Sequence, residues 1–243
     1  ASQKQALEAP AIIDAEQQAR AETGQKLGQL AKTAEQAAAA IEEYLDYAIN
    51  HYWQVAASTT LKAAANYMVE TGEAVVKLLP EKEPIAQKLD KIANKVATAH
   101  RLAAQTAEKL ALNAEAKRKH DVTSEQRENT NDLTRLAAVI RLEMTEKLDP
   151  IVNASDSARR EGFVAPIKDT PAQAKIAADK LNQLADIAAM LESSDANLRK
   201  QGHDALAKLL MEKNLQKQLD TALKAADSLN ELANRMDKKD ELK

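Results

Sequence analysis

The sequence predicts an all-α protein in which long antiparallel helices pack into elongated bundles with coiled-coil-like contacts. Apolar residues recur at alternating three- and four-residue spacing through most of the chain, which is the helical period. Five glycines and six prolines among 243 residues leave few breaks between helices. The hydrophobic fraction is 44% but aromatic residues are only 2% of the chain, and alanine fills the difference. Alanine buries little area, so such a core requires close helices and long contacts.

The N-terminal half of the chain predicts a short leader and three helices. Residues 1–12 form the polar leader, and helical spacing begins at Ile13. Apolar seams then run from Leu27 to Val55, from Leu61 to Leu79 and from Ile85 to Leu110. The third seam is a strict four-three alternation, which is typical of coiled-coil packing.

The C-terminal half predicts four further helices. Apolar seams run from Leu133 to Ile151, with a disturbance at Pro150, and from Ala177 to Leu191. Asp195 suits the start of the next helix, and the last seam contains Leu215, Leu219, Ala222, Ala226, Leu229, Ala233 and Met236. The total is roughly seven helices, and the short links between them favour antiparallel neighbours.

Two helix starts carry explicit signals. Thr123 with Gln126 predicts a capping box, in which each side chain bonds the backbone of the other residue. Thr170 followed by Pro171 predicts an N-cap and a first helical position. The polar stretch before Thr123 predicts a boundary between an N-terminal bundle of residues 13–120 and a C-terminal bundle of residues 121–243.

The residues that usually carry chemistry are sparse and scattered. No histidine belongs to a zinc or di-iron helix motif, and no glycine-rich loop could hold phosphate. The chain lacks cysteine, which excludes disulfides and thiolate sites. We therefore predict no catalytic residue, no metal and no cofactor, although an enzyme with a site of scattered polar residues stays open. We expect His51 on an apolar seam and His100, His120 and His203 in solvent.

Charge and hydropathy reduce the classes of binding partner that we expect. The net charge of −3 and the short basic clusters without interleaved aromatics argue against nucleic acid. The longest uncharged stretch contains too many polar residues to cross a bilayer. Both secretion and a bacterial cytoplasm are compatible with this composition.

Five of the six aromatic residues lie between positions 44 and 67. Tyr44 and His51 share the first seam, whereas Tyr47 and Trp53 lie off it. Tyr52 belongs to the same cluster. The cluster has two interpretations, a packed core at one end of a bundle or a protein-binding surface, since Trp and Tyr dominate interface energetics.

Two of the predicted helices resemble the vinculin-binding helices of talin and of the bacterial proteins that imitate them. The shared pattern is a leucine, small residues three and four positions on, and then apolar residues at helical spacing. The first helix supplies Leu30, Ala34, Ala37, Ile41, Leu45 and Ala48. The second supplies Leu61, Ala64, Ala65, Met68, Val75, Val76 and Leu79. Thr33, Gly72 and Leu79 depart from the family pattern, and the likeness covers about 40 of the 243 residues.

The resemblance implies a mechanism for binding. A bundle would bury the apolar face of one helix, and a vinculin-like helical partner would take that helix into its own groove. We therefore predict a non-enzymatic helical protein-protein interaction or scaffold protein, with a secreted bacterial factor that engages a host or structural partner as one form of it. The alternative is a helical bundle that binds a lipid or membrane surface.

Overall fold

The computed structural model describes residues 16–23, 56–80 and 85–240, with the backbone alone at 237, 239 and 240. All the regular structure in these residues is helical, which confirms the all-α prediction. Seven α-helices lie between Ala57 and Asp240. The predicted total of roughly seven included one helix, from Leu27 to Val55, that lies outside the described residues. The seven helices are α1 (Ala57–Leu78), α2 (Ala86–Arg118), α3 (Ser124–Glu143), α4 (Asp149–Glu161), α5 (Thr170–Leu191), α6 (Ala196–Glu212) and α7 (Gln216–Asp240).

The chain divides into two compact units, residues 1–54 and residues 55–243. In the first unit, residues 16–23 are helical, and Arg20 donates a hydrogen bond to Glu16 one turn earlier. All seven labelled helices belong to the second unit. Its extent differs from the predicted bundles 13–120 and 121–243, because α2 and α3 on either side of residue 120 pack against each other. Independent folding of the two predicted bundles stays a prediction.

Pro150 disturbs the helix in the way that its chemistry requires. Proline lacks an N–H and its ring crowds the preceding turn, so a regular α-helix cannot run through it unchanged. A five-residue π-helical turn, Met144–Leu148, lies between α3 and α4 and places Pro150 in the first turn of α4. The wider turn lets the backbone continue from Ser124 to Glu161 with the apolar side of α3 and α4 still buried.

Local capping chemistry sets several helix ends. Gln126 N–H donates to Thr123 Oγ1 over 3.1 Å, and Thr123 N–H donates to Gln126 Oε1 over 3.0 Å, which confirms the capping box. Asp195 caps α6 by accepting from Asn197 N–H over 2.8 Å. Gly162 ends α4 with a φ of 77°, in the left-handed region that glycine adopts without strain.

The predicted N-cap at Thr170 was wrong by one residue. Asp169 occupies the N-cap position with a helical backbone, and its side chain makes no capping bond. A 3-10 turn at Ala165–Ile167 leads almost directly into α5, so the chain does not adopt the extended conformation that a Thr170 cap would need. Thr170 is instead buried.

Polar contacts between helices define their directions. Lys62 Nζ lies 4.0 Å from Asp186 Oδ1, and Gly72 lies near Pro171, so α1 and α5 are antiparallel. Lys95 donates to Glu70 over 2.6 Å between α1 and α2. By contrast, α3 and α6 run parallel, because Glu125 and Asp132 contact Arg199 and His203 in the same order.

The core lies between α1, α2, α3 and α5, with α4 and α6 packed around them. It is built from leucine, isoleucine and many alanines; its largest fully buried side chains include Leu61, Met68, Leu89, Ile92, Leu110, Leu136, Ile140 and Leu184. The most extensive contact joins α1 to α5. The strict seam of α2 is buried, as the four-three spacing predicted.

Two glycines mark close helix approaches and predict opposite effects on stability. At Gly72 an added Cβ would lie 3.5 Å from Ala174 Cβ, an ordinary contact, so Gly72→Ala should raise the free energy of unfolding by about 0.5–1 kcal/mol. At Gly202 it would lie 2.8 Å from Met190 Cβ and 3.1 Å from Leu191 N, so Gly202→Ala should lower stability by about 1–3 kcal/mol. Urea unfolding of both variants measures the difference. A shift of the same sign in both would contradict the helix contacts described.

Candidate functional site

The aromatic part of the predicted binding surface lies outside the described residues. Tyr44, Tyr47, His51, Tyr52 and Trp53 all fall in residues 24–55, so their role as a protein-binding surface stays a prediction. The fifth aromatic residue of that cluster, Tyr67 on α1, is partly buried and packs against the core.

The residues that resemble a vinculin-binding helix mostly face the core of the second unit. Leu61, Ala64, Ala65, Met68 and Val75 are all fully buried on α1. A partner could bind this face only if α1 first left its contacts with α5 and α2. The bundle as it stands therefore keeps the face covered.

Val76 near the end of α1 and Leu79, its C-cap residue, are exposed. Val76 is 54% exposed and Leu79 is 39% exposed, and Val69 is exposed one heptad before Val76. The α1 residues of the resemblance are thus divided between the core and the surface. They do not form one continuous surface in the folded bundle.

Three large apolar side chains are exposed along the described part of α7. Leu229 is 68% exposed, Leu232 is 55% exposed and Met236 is 61% exposed. Ala225 and Ala222 are exposed one and two turns before Leu229, respectively. The five residues alternate at three- and four-residue spacing and share one side of the helix. We call Ala222, Ala225, Leu229, Leu232 and Met236 the α7 outer face.

The predicted seam of α7 was correct only in its first part, because Leu215 and Leu219 pack against the core, whereas Leu229, Ala233 and Met236 are exposed. The sequence placed Leu229 and Met236 on the buried side, whereas the structure buries Leu223, half a turn from the α7 outer face. The reason is that α7 carries apolar residues on two sides. Leu219 and Leu223 pack against the bundle near the start of α7. Farther along the helix, every described side chain from 231 to 236 is exposed.

Charged groups hold the first half of α7 against the bundle. Arg135 of α3 donates to Asp220 Oδ1 over 2.5 Å, and within α7 Gln216 Nε2 also donates to this carboxylate, at Oδ2 over 3.1 Å. Arg118 Nε at the end of α2 lies 3.4 Å from Asp227 Oδ1. These contacts orient α7 so that its outer face points away from α2 and α3.

Arg135 also belongs to a polar network between α3 and α6. Arg135 also donates to Asp132 Oδ1 over 3.0 Å, and His203 Nδ1 lies 2.6 Å from Asp132 Oδ2. His203 Nε2 lies 3.2 Å from Glu128 Oε1. The network lines a cavity of about 550 Å³ beside the start of α7. His203 was expected in solvent, so its partly buried ion-pair position corrects that expectation.

The two carboxyl groups that Arg135 contacts differ in burial, and their pKa values shift in opposite directions. Burial raises the pKa of Asp132 above its ordinary value, although hydrogen bonds and charges from His203 and Arg135 act in the opposite direction. The hydrogen bond from Arg135 lowers the pKa of Asp220, which lies closer to solvent. Asp132 is therefore the buried centre of the network, and Asp220 is the link to α7.

Two further polar contacts join helices in the second unit. His100 Nε2 lies 2.8 Å from Asp149 Oδ1 at the start of α4, so this histidine is also partly buried rather than fully solvated. Lys213 donates to Glu146 Oε2 over 2.6 Å and lies 3.4 Å from Oε1 of the buried Glu143. Hydrogen bonding and charge from the two glutamates raise the pKa of Lys213. These contacts link neighbouring helices.

The carboxyl of Glu192, at the end of α5, lies near the backbone of Ala57 at the start of α1, and this backbone N–H acts to lower its pKa. Ala56, the N-cap residue of α1, makes no side-chain cap. Burial of the carboxyl raises the pKa of Glu192 to about 7, and the Ala57 N–H and Lys117 oppose the shift only in part.

This pKa predicts a pH-dependent stability. Because the folded pKa exceeds the ordinary value of 4.5, the stabilising contribution is complete below pH 4.5 and disappears as the pH rises through 7. Glu192→Gln keeps the acceptor without the charge, so it should match the parent at pH 4.5 and exceed its stability at pH 8. We expect about 1 kcal/mol, discounted because the residue reaches solvent. Urea unfolding at both pH values measures this, and an equal difference at both would contradict it.

The described residues contain no group of three or more side chains placed to hold a metal ion. In the same ranges, no helix combines the length and the apolarity that crossing a membrane requires. Comparison with protein-family models, with curated proteins and with solved structures finds no match to this chain.

Proposed function

We propose that this protein is a non-enzymatic helical interaction protein that binds an amphipathic partner helix through the α7 outer face. The observation that carries the proposal is the exposure of Leu229, Leu232 and Met236 on one side of a 25-residue helix. Large apolar side chains at adjacent turns cost free energy in water, and contiguous exposed apolar surface often marks an interaction site.

The spacing of this face favours a helix as the partner. Alternation of three and four residues is the register in which two helices interlock side chains as knobs into holes. A partner helix would cover the whole seam from Ala222 to Met236, which is about 21 Å long. The chemistry expected of the partner is therefore an amphipathic helix with apolar residues at the same alternating spacing.

A lipid surface is the competing partner, and the composition of the α7 outer face argues against it. Helices that lie on membranes usually present a broad face of bulky residues with lysine or arginine on the polar side. Two of the five positions here are alanine, which lets another helix approach closely but buries little area in lipid. The face contains no aromatic residue.

A binding titration with defined probes tests the proposal. The probe is a labelled designed peptide of three heptads with leucine at alternating three- and four-residue spacing, and its control peptide has the same composition with the leucines dispersed. The full chain should bind the first peptide and not the second. Leu229→Asp should weaken binding at least tenfold, because it places a charge at the centre of the seam.

Two controls distinguish binding by the α7 outer face from a general effect of the added charge and from binding to lipid. Asn234→Asp adds the same charge on another side of α7, where the side chain is exposed, and should leave binding unchanged. Vesicles of phosphatidylcholine with phosphatidylglycerol form the lipid arm. Binding to vesicles that Leu229→Asp abolishes, without binding to the leucine peptide, would replace the proposal with the membrane-surface function.

Other parts of the predicted binding surface remain separate proposals. These are the vinculin-like binding of α1 and the aromatic residues from Tyr44 to Trp53, which lie outside the described residues. The Tyr47→Ala/Trp53→Ala double variant in the same titration distinguishes the two surfaces. It should bind the leucine peptide as the parent does if the α7 outer face is the site.

A further inference from the structure

We infer that Asp132, His203 and Glu128 share a proton that latches the first half of α6 to α3, so that this contact loosens as the pH rises above neutrality. We call these three side chains the α3–α6 latch. None of them belongs to the α7 outer face, so the latch and the proposed function stand or fall separately.

Both ring nitrogens of His203 face a carboxylate of α3. Nδ1 lies 2.6 Å from Asp132 Oδ2, and Nε2 lies 3.2 Å from Glu128 Oε1. A neutral imidazole has one N–H, and its other nitrogen is an acceptor, as is every oxygen of an ionised carboxylate. With both carboxylates ionised, a neutral ring therefore satisfies one contact and places two acceptors against each other in the second. The geometry requires one additional proton.

The additional proton lies in the short contact between Asp132 and His203. On Nδ1 it makes an imidazolium, which presents an N–H to both carboxylates. On Asp132 it makes a carboxyl that donates to Nδ1, while Nε2–H faces Glu128. Both arrangements satisfy the same two contacts, so the proton belongs to the pair rather than to either residue. Burial favours its retention, because burial raises the pKa of Asp132 above its ordinary value, although His203 and Arg135 act in the opposite direction.

Other charged side chains surround the latch on three helices. They are Glu125, Arg127 and Arg135 of α3, Arg199, Lys200 and Asp204 of α6, and Asp220 of α7, which contacts Arg135. Arg199 contacts Glu125 over 2.8 Å. Arg135 contacts Oδ1 of Asp132, whereas His203 contacts Oδ2. The arginine therefore does not replace the proton at Oδ2, and the contact with His203 depends on it.

The first half of α6 relies on polar contacts to stay against α3. Leu206 is the first apolar side chain of α6 that is buried. Before it, Arg199 and His203 are the residues that contact charged groups of α3. The Glu125 partner of Arg199 is 70% exposed, so that ion pair contributes little. The Asp132 side chain is 3% exposed, and the latch is therefore the stronger of the two contacts.

The sign of the pH dependence follows from the number of protons bound. In the unfolded chain an imidazole loses its second proton near pH 6.5, its ordinary pKa being about 6.5. The folded latch keeps a proton that the unfolded chain has lost, so folding takes up a proton above this pH. The stability from the latch is complete below about pH 6.5 and is lost as the pH rises until the folded latch gives up its proton.

Urea unfolding of Asp132→Asn tests the latch. Asparagine offers its own N–H to Nδ1 and keeps an oxygen for Arg135, so the contacts no longer need a titrating proton. Because Glu192 contributes a pH dependence of the same sign, both chains carry Glu192→Gln. From about pH 6 to about pH 8, the unfolding constant should rise about tenfold more with Asp132 than with the asparagine, since one proton changes it by up to tenfold per pH unit. Equal pH dependence would overturn the inference.

Glu128→Gln tests the other end of the latch on an exposed side chain, where folding is not at risk. The amide donates to a bare Nε2, so the neutral ring satisfies both contacts and the pH dependence should fall by at least about threefold. Glu125→Gln is the matched control, because it removes the same charge one turn earlier on α3, from a residue that contacts Arg199. It should keep the parental pH dependence. A loss of equal size in both variants would indicate a general charge effect and overturn the latch.

Amide hydrogen exchange measured by mass spectrometry locates the loosening. After correction for the intrinsic pH dependence of exchange, protection of residues 200–205 should fall about tenfold more than that of α5 between about pH 6 and about pH 8. The same comparison in the Glu128→Gln chain should show a smaller difference. A uniform loss of protection across α5 and α6 would show that no local contact titrates, and it would overturn the inference.

Discussion

Ile92→Asp should abolish the folded state of the second unit at room temperature or leave it close to its unfolding midpoint. Ile92 is 2% exposed on the buried side of α2, where it belongs to the core shared with α1. Loss of a buried isoleucine costs about 2–5 kcal/mol, and an unpaired carboxylate in the same place adds to that cost. The sum approaches the total stability of an ordinary domain, about 5–15 kcal/mol.

Circular dichroism during heating measures the effect, with Asn94→Asp as its control. Asn94 lies two residues along the same helix and is exposed, so the control adds the same charge to α2 without entering the core. We expect a near-parental melting temperature for Asn94→Asp and no cooperative transition, or a much lower one, for Ile92→Asp. Equal melting temperatures would show that the register of α2 is wrong.

The sequence predicted best the features that depend on neighbours along the chain. The capping box at Thr123 and Gln126 needs only a spacing of three residues, and its geometry is as expected. The effect of Pro150 follows from its own missing N–H. The buried seam of α2 follows from period alone, because that helix has one apolar side.

Features that depend on contacts between residues far apart in the sequence could not be predicted. Asp132 and His203 are 71 residues apart, and nothing local distinguishes them from other surface charges on helices. A polar residue at a seam-adjacent position of a helix is the only signal that could have pointed to them, and many exposed residues share it. The paired histidines were therefore expected in solvent.

The side of α7 that faces the bundle could not be predicted for a related reason. Its apolar residues occupy two sides of the helix, and period cannot decide which side meets the bundle. The decision is made by Arg135 and Arg118, which reach Asp220 and Asp227 from other helices. The candidate site was missed because an exposed seam and a buried seam have the same spacing.

Asp132→Ala should lower the free energy of unfolding by about 3 kcal/mol, because it removes one member of a buried ion pair. The Asp132 side chain is 3% exposed and contacts both His203 and Arg135. Its loss leaves the guanidinium of Arg135 with Asp220 as its carboxylate partner and leaves the imidazole of His203 with the exposed Glu128. Urea unfolding at neutral pH measures the change.

Glu128→Ala provides the matched comparison. Glu128 contacts the other ring nitrogen of His203, but its side chain is 60% exposed, so its loss should cost less than about 1 kcal/mol. The two carboxylates therefore differ in burial and share a partner. Similar losses from both variants would contradict the assignment of Asp132 as the buried centre of the network.

A double-mutant cycle resolves how Asp132 acts. If its effect runs through His203, then Asp132→Ala and His203→Ala together should cost less than the sum of the single losses by about 1 kcal/mol or more. Additive losses would instead place the effect of Asp132 on Arg135, and Asp220→Ala would then show coupling to Asp132→Ala. That second result would link the buried network directly to the position of α7, because Asp220 is the first contact that holds this helix. If Asp132→Ala does not fold, Asp132→Asn, which removes the charge and keeps the size, carries the same cycle.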